Sequence, residues 1–183
     1  MVGTITVTSR NTVITKFLGR GELRFTDSST IELGDQTTVR IRELPEHPDA
    51  ATTIVLDHGA VRFTVRHPEG KRSNYIFQTP TSQIAVRGTR AYLIVGPGGT
   101  QLYCVECDPG DISAVTALDS YTIVSGQSLN VRTINGKAFD AAIVANATVN
   151  NPAVDQFLGG FSPFGRPMEE GIDFTGSGSG TSR

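Results

Sequence analysis

The 183-residue chain has no marked excess of charge of either sign, no long apolar run and few cysteines. Its 16 basic and 18 acidic residues give a net charge of −2 and a pI near 5.9. Domains that bind nucleic acid usually carry a basic patch or a pI above about 9, so we expect no nucleic-acid partner. No stretch approaches the roughly 18 apolar residues that span a bilayer, so we expect no membrane insertion by the chain as given.

The scarcity of cysteine and of an apolar leader also limits the class of protein. Two cysteines are too few for a disulfide scaffold. The first residues, MVGTITVTSR, lack the apolar core of a signal peptide. The chain as given is therefore expected to be soluble. A leader removed during processing would leave no trace, so its compartment rests on other grounds.

Short strands and frequent turns dominate what is present. Twenty glycines, nine prolines and many β-branched residues favour strands and turns over helices. In residues 61–66 (VRFTVR) apolar and polar side chains alternate, which predicts a strand with Phe63 inward and Arg62 and Arg66 outward. Residues 96–99 (GPGG) predict a hairpin connection between two apolar runs. We therefore predict a mainly-β fold class, in which short strands form a solenoid-like or a sandwich-like stack.

The character of the sequence changes after Gly136. Residues 137–145 (KAFDAAIVA) contain good helix formers and predict one short helix. Asn151 as N-cap, Pro152 and the pair Gly159-Gly160 predict a second. We therefore expect a β domain at 1–135, a helical extension at 136–158 and a Gly/Ser/Phe-containing tail or linker at 159–183.

Apolar side chains recur through the end of the chain. Such exposed groups usually have a partner, which is either a neighbouring copy or the tail's own domain. The candidate assembly contacts are Phe157, Phe161, Phe164, Ile172 and Phe174.

The segment Cys104-Val105-Glu106-Cys107 invites a redox or metal interpretation. In a regular strand, residues three apart lie on opposite faces with Cα atoms about 10 Å apart, too far for a disulfide. Only a bulge or an early turn at Cys107 would let the two pair. We expect two unpaired thiols, with a local or intermolecular disulfide and a metal or redox site as the alternatives.

No other motif predicts catalysis or a cofactor. The three histidines repeat no ligand spacing, and no serine lies in a nucleophile-elbow motif. We expect no catalytic residue, no metal site, no cofactor and no enzymatic activity.

Five segments occur in an order that resembles the FecR domain, the extracytoplasmic module of iron-dicitrate-type sensor regulators and of many bacterial surface proteins. They are residues 29–33 (STIEL), 56–65 (LDHGAVRFTV), 75–80 (YIFQTP), 84–89 (IAVRGT) and 121–127 (YTIVSGQ). The resemblance covers roughly residues 20 to 132, and its Thr-Pro to Arg-Gly-Thr stretch is the specific part. The chain departs from the family pattern at residues 106–110 (ECDPG), where a Glu-Gly turn is common.

Arg87, Gly88 and Thr89 are interpreted as a structural corner. Gly88 can adopt a conformation closed to other residues, and a buried or half-buried Arg87 would donate to carbonyl groups at the corner. Recognition of an anionic partner by Arg87 is the alternative.

The resemblance implies an extracytoplasmic protein-interaction module. Its expected partners are other copies of itself, as a self-assembling surface or filament subunit, or an envelope protein. The alternatives are a periplasmic signal-receiving domain of a FecR-type anti-sigma regulator, and a redox or metal-binding protein that uses Cys104 and Cys107.

Overall fold

A computed structural model describes residues 6–44, 50–66 and 73–145. Within these ranges the chain forms thirteen β-strands and no helix. The strands are β1 (Thr12–Ile14), β2 (Gly21–Arg24), β3 (Thr30–Leu33), β4 (Thr38–Glu43), β5 (Thr52–Val65), β6 (Tyr75–Gln78), β7 (Ser82–Val86), β8 (Thr89–Gly96), β9 (Gly99–Cys107), β10 (Ile112–Thr116), β11 (Ser120–Ile123), β12 (Gln127–Ile134) and β13 (Lys137–Ala145). The mainly-β prediction is confirmed.

The long strand β5 joins two halves of one continuous sheet. Its first part pairs with β4 and β6, and its second part pairs with β3 and β8. The first half-sheet has the order β1-β4-β5-β6-β7-β10-β11, and the second has the order β2-β3-β5-β8-β9-β12-β13. Among the described strands only β5 and β6 pair in parallel.

The core lies between the two half-sheets. The ring of Phe63 in the second half-sheet stacks on that of Phe77 in the first, with centroids 4.5 Å apart. Val61, Phe63 and Val65 are buried, Arg62 is half-buried and Arg66 is exposed, as the alternation in this strand predicts. Burial of these inward side chains stabilises the fold by about 25 cal/mol per Å² of apolar surface.

Two groups of crossings carry the chain from one half-sheet to the other. The first corner consists of residues 15–20, 34–37 and Gly59, and the second corner consists of residues 87–88, 108–111 and 124–126. The register of β5 against β8 pairs Gly59 with Val95 and Val65 with Thr89. The two corners therefore lie at opposite ends of the strands.

The first corner is held by threonine hydroxyls. Thr15 Oγ1 donates to Gly34 O at 2.5 Å, and Thr37 Oγ1 donates to Ala60 O at 3.2 Å. Thr37 Oγ1 also accepts from Ala60 N at 3.1 Å. Both threonines are buried, so these bonds satisfy backbone groups that the crossings would otherwise leave unpaired.

The hairpin predicted at residues 96–99 is confirmed. Gly96 pairs with Gly99, which leaves Pro97 and Gly98 as a two-residue connection between β8 and β9. Gly99 has φ 129°, and a Cβ there would collide with the carbonyl of Val131 in the neighbouring β12. Glycine is required at this position by both backbone conformation and space.

The helix predicted at residues 137–145 is wrong. These residues form β13, which pairs antiparallel with β12. Ala141 lies opposite Val131 and Ile143 lies opposite Leu129, so pairing with an existing strand overrides the helix propensity of the alanines. The second predicted helix, from Asn151, lies outside the described residues.

Candidate functional site at the second corner

The second corner brings together three segments that are distant in the sequence. The N–H of Arg87 donates to Asp111 O at 2.8 Å and joins the crossing before β8 to the crossing before β10. Cys107 N donates to Ser125 Oγ at 2.8 Å, and Ser125 Oγ donates to Cys107 O at 3.0 Å. Gly126 N donates to Cys104 O at 3.0 Å. The three crossings are therefore tied to one another in series.

The Arg-Gly-Thr stretch lies at this corner, but its arginine does not act as predicted. Gly88 has φ 69°, a conformation that favours glycine. The side chain of Arg87 is exposed, so the expectation of a buried guanidinium that donates to corner carbonyls is wrong. At this corner shorter groups bond the carbonyls instead, since Thr89 Oγ1 donates to Glu106 O and Ser125 Oγ donates to Cys107 O.

Thr89 is the buried polar side chain of this corner. Its Oγ1 donates to Glu106 O at 2.6 Å and lies 2.7 Å from Cys107 Sγ and 4.0 Å from Cys104 Sγ. Thr89 is 6% exposed. Its hydroxyl therefore links the start of β8 to the end of β9.

The structure pairs Cys104 and Cys107 as a disulfide. Arg90 lies opposite Glu106, whereas Ala91 lies opposite Cys104, so Val105 is the extra residue of a β-bulge. The bulge turns both cysteines toward the core and places their Cα atoms 6.1 Å apart, within the range of a disulfide. A bulge is one of the two conditions under which the sequence allows the cysteines to pair. The structure therefore differs from the expectation of two unpaired thiols and agrees with the alternative of a local disulfide.

Sequence reasoning missed Ser125 and Asp111, and it named a bulge as a condition for pairing without predicting one at Val105. A serine directly before a glycine turn was a usable signal for Ser125, since short hydroxyl side chains often bond backbone groups at turns. The bulge is favoured because a regular strand would turn Glu106 toward the core. With the bulge, Glu106 is 68% exposed and lies 3.7 Å from Arg90 Nη2.

Two further surfaces of the described chain have the shape or the exposure of a site. A shallow groove of about 280 Å³ lies among the hairpin ends at residues 80–81, 95–100 and 133–136. Its hydroxyls bond one another, with Thr81 Oγ1 donating to Thr100 Oγ1 at 2.7 Å and Thr100 Oγ1 donating to Thr79 Oγ1 at 3.2 Å. The groove therefore resembles a packed junction of turns more than a ligand pocket.

β13 is the second surface, and it forms one edge of the sheet. Phe139, Ile143 and Val144 are 48%, 38% and 43% exposed. Tyr121 Oη in β11, the strand at the other edge, donates to Ala141 O at 3.3 Å. The two edges therefore approach each other, and the sheet is nearly closed.

Two searches of the described residues concern metal clusters and membrane-spanning helices. Residues 6–44, 50–66 and 73–145 hold no group of three or more His, Cys, Asp or Glu side chains suited to a metal ion. The same ranges contain no helix with the length and apolarity to cross a bilayer. The candidate assembly contacts Phe157, Phe161, Phe164, Ile172 and Phe174 lie outside the described residues.

Comparison with known proteins gives one family and one fold. A sequence model described as FecR protein matches residues 11–108 of the 183, more than half of the chain. Two crystal structures of a candidate anti-sigma factor from Parabacteroides distasonis ATCC 8503, at 1.65 Å and 2.50 Å resolution, are similar with a TM-score of 0.60 each. Their identities to this chain are 12% and 13%, over 76% of its length.

The matched region is shorter than those solved proteins. The chain spans 62% of the length of each. No curated protein matches the chain. At such identities the similarity to the solved structures establishes the fold alone.

Proposed function

Because the chain belongs to the FecR family, we propose that it is the extracytoplasmic, signal-receiving module of a FecR-type regulator and works by contact with an envelope protein. The observation that carries the proposal is the family match over residues 11–108, together with the fold similarity to a candidate anti-sigma factor. The Cys104–Cys107 disulfide supports the compartment, since disulfides persist in oxidising environments such as the periplasm.

We also propose that the module has no enzymatic activity. At the second corner the hydroxyls of Thr89 and Ser125 bond backbone carbonyls of β9. A nucleophile needs an adjacent base and an accessible reacting atom, whereas these hydroxyls are engaged in holding the crossings together. This use of the polar groups supports a structural role for the corner.

The contact surface that we propose is the outer edge of β13, beside the bond from Tyr121 Oη to Ala141 O. Val131 O approaches Gly99 of β9, so the backbone groups of Val131 point away from β13. Ala141, opposite Val131, then points its N–H and C=O away from β12, which agrees with the bond from Tyr121. Because the direction of the backbone groups alternates along a strand, the N–H and C=O of Ile143 also point away from β12. An extended strand of an envelope partner satisfies such groups by strand addition.

The side chains along this edge favour the same occupant. Natural edge strands are protected against pairing by lysine, proline or covering segments. β13 has no proline and its one lysine is its first residue, Lys137, while further along it exposes Phe139, Ile143 and Val144. A partner strand with apolar residues at alternate positions fits this pattern, because cross-strand apolar pairs stabilise an antiparallel ladder.

Transcript profiling in the natural host tests both parts of the proposal. We expect loss of the gene to change transcription of a limited set of genes, and the variant V144K to reproduce that change, since an edge lysine opposes strand addition. The matched control is V115K, because Val115 is also apolar and 54% exposed but lies in β10, an interior strand of the sheet. Unchanged transcripts after gene loss would refute the regulator, and a V144K strain that behaves like V115K would refute the edge.

Self-assembly into a surface structure or filament stays a prediction. The residues that would carry it lie outside the described ranges, and the family and fold comparisons favour the regulator. Size-exclusion chromatography of the whole chain and of a chain ending before residue 159 tests it. A monomer of unchanged behaviour in both would contradict self-assembly through the tail.

A further inference from the structure

The Cys104–Cys107 disulfide lies where three crossings of the chain meet, and the proposed function does not use it. Cys104 is fully buried and Cys107 is 6% exposed. The exposed turn at residues 108–110 follows Cys107 directly. Of the two sulfurs in this bond, the one nearer the surface is therefore next to an exposed turn.

Both cysteines also carry the backbone bonds that close the corner. Cys107 N and O bond Ser125 Oγ, and Cys104 O accepts from Gly126 N. These bonds join the end of β9 to the connection between β11 and β12. The covalent link fixes the bulge at Val105, and the bulge sets the positions of the groups that make these bonds.

We propose that Cys104–Cys107 is a site of reversible thiol–disulfide exchange with envelope dithiol proteins, and that its redox state sets the rigidity of the second corner. The attacking thiolate of the dithiol bonds Cys107 Sγ, and the sulfur of Cys104 leaves as a thiolate and takes up a proton. The second thiol of the dithiol then displaces Cys107. Two electrons and two protons pass to the protein, and the partner dithiol becomes a disulfide.

Thr89 assists the opening of the bond. Its hydroxyl lies 2.7 Å from Cys107 Sγ and 4.0 Å from Cys104 Sγ. Rotation about the Cβ–Oγ1 bond of Thr89 lets this hydroxyl donate to whichever sulfur carries the negative charge. A hydrogen bond to a thiolate stabilises the charged form, which offsets part of the cost of a thiolate in the core.

The effect of reduction is local because the closed loop is short. In the chain-entropy account, closing a loop of this length lowers the number of conformations open to the chain by a factor of roughly 20. We expect the corner, where the bulge is fixed, to open more often by that factor once the bond is reduced. Strand β5 in the centre of the sheet makes none of its hydrogen bonds to this loop, so its amides should be unaffected.

Hydrogen exchange with mass spectrometry tests this inference on the whole chain, with dithiothreitol as the reductant. Alkylation with iodoacetamide after treatment under native conditions should count two new thiols. Exchange of amides in residues 104–111 and 124–127 should then quicken roughly 20-fold, while residues 59–65 stay unchanged. The double variant C104S/C107S should show the fast exchange without reductant, and reoxidation of the wild-type chain should restore slow exchange.

Several outcomes would overturn the inference. They are a bond that dithiothreitol opens only under unfolding conditions, a uniform change of exchange over the whole sheet, or free thiols in protein isolated from an oxidising compartment. T89V separates exchange chemistry from simple burial. We expect it to slow reduction several-fold, and an unchanged rate would remove Thr89 from the mechanism. None of these results depends on a regulatory role, so the failure of either proposal is distinguishable from that of the other.

Discussion

Gly59 is the residue on which the bend of β5 depends, and its replacement by alanine is the sharpest test of the fold. Gly59 has φ 104°, and a Cβ there would lie 2.5 Å from Thr37 Cα. A side chain in this backbone region costs about 1–2 kcal/mol. Displacement of Thr37 also breaks its two bonds to Ala60, each worth about 1 kcal/mol. We expect G59A to lower the free energy of unfolding by about 3–4 kcal/mol, from these two contributions.

Gly110 supplies the matched control for this prediction. Its φ is 92°, yet no atom lies within 4 Å of a Cβ built there. G110A therefore carries the backbone cost alone, about 1–2 kcal/mol. Urea unfolding followed by circular dichroism measures both variants against the wild-type chain. If G59A were no less stable than G110A, the close approach of Thr37 to β5 and the first corner as described would be wrong.

Three further predictions concern individual side chains. Burial raises the pKa of Tyr75, Tyr92 and Tyr103. The folded state therefore favours the neutral phenols. The stability that they contribute is complete below pH about 10 and falls as pH rises above it. Urea unfolding and tyrosinate absorbance across that range measure this, and a stability that does not change with pH would contradict it. T89V should lower the free energy of unfolding by about 1 kcal/mol through loss of the bond to Glu106 O, whereas T122V at an exposed position should not; equal unfolding midpoints would refute the difference. R62M should cost about 2–3 kcal/mol, since Arg62 Nη2 lies 2.5 Å from Glu32 Oε1 and the two side chains are 12% and 13% exposed. R40M, in the exposed pair with Asp57, should cost much less by the same denaturant assay, and comparable losses would refute the role of burial.

The fold could be predicted from the sequence wherever the relevant information is local. The alternation around Phe63 predicts that its side chain faces the core, because successive strand residues face opposite sides of the sheet. The hairpin at residues 96–99 follows from glycine and proline at a break between two apolar runs. The family could be predicted from the order of short motifs, because the Arg-Gly-Thr stretch marks a crossing whatever surrounds it. The choice between a solenoid-like and a sandwich-like class stays a prediction.

The errors arise where residues distant in the sequence decide. Residues 137–145 are compatible with a helix by propensity, and only the presence of β12 makes them a strand. Cys104 and Cys107 cannot meet in a regular strand, and the bulge that brings them together depends on β8 as the opposing strand. The carbonyls of the second corner are bonded by two hydroxyls, Thr89 and Ser125, of which the second comes from the far side of the corner. None of these partners can be identified from neighbouring letters.

The two corners and the edge of β13 use polar groups in opposite ways. At the corners, buried hydroxyls satisfy backbone groups within the molecule, as Thr37 does for Ala60. At β13 the N–H of Ala141 and the backbone groups of Ile143 face outward, and of this set Ala141 O alone accepts a bond from within the described chain, from Tyr121 Oη. Under the proposed function, the partner is therefore bound mainly by backbone groups, which are the same in every peptide. Selectivity must then come from the side chains that flank the edge, Phe139 and Val144 among them, because a backbone ladder alone does not distinguish one strand from another.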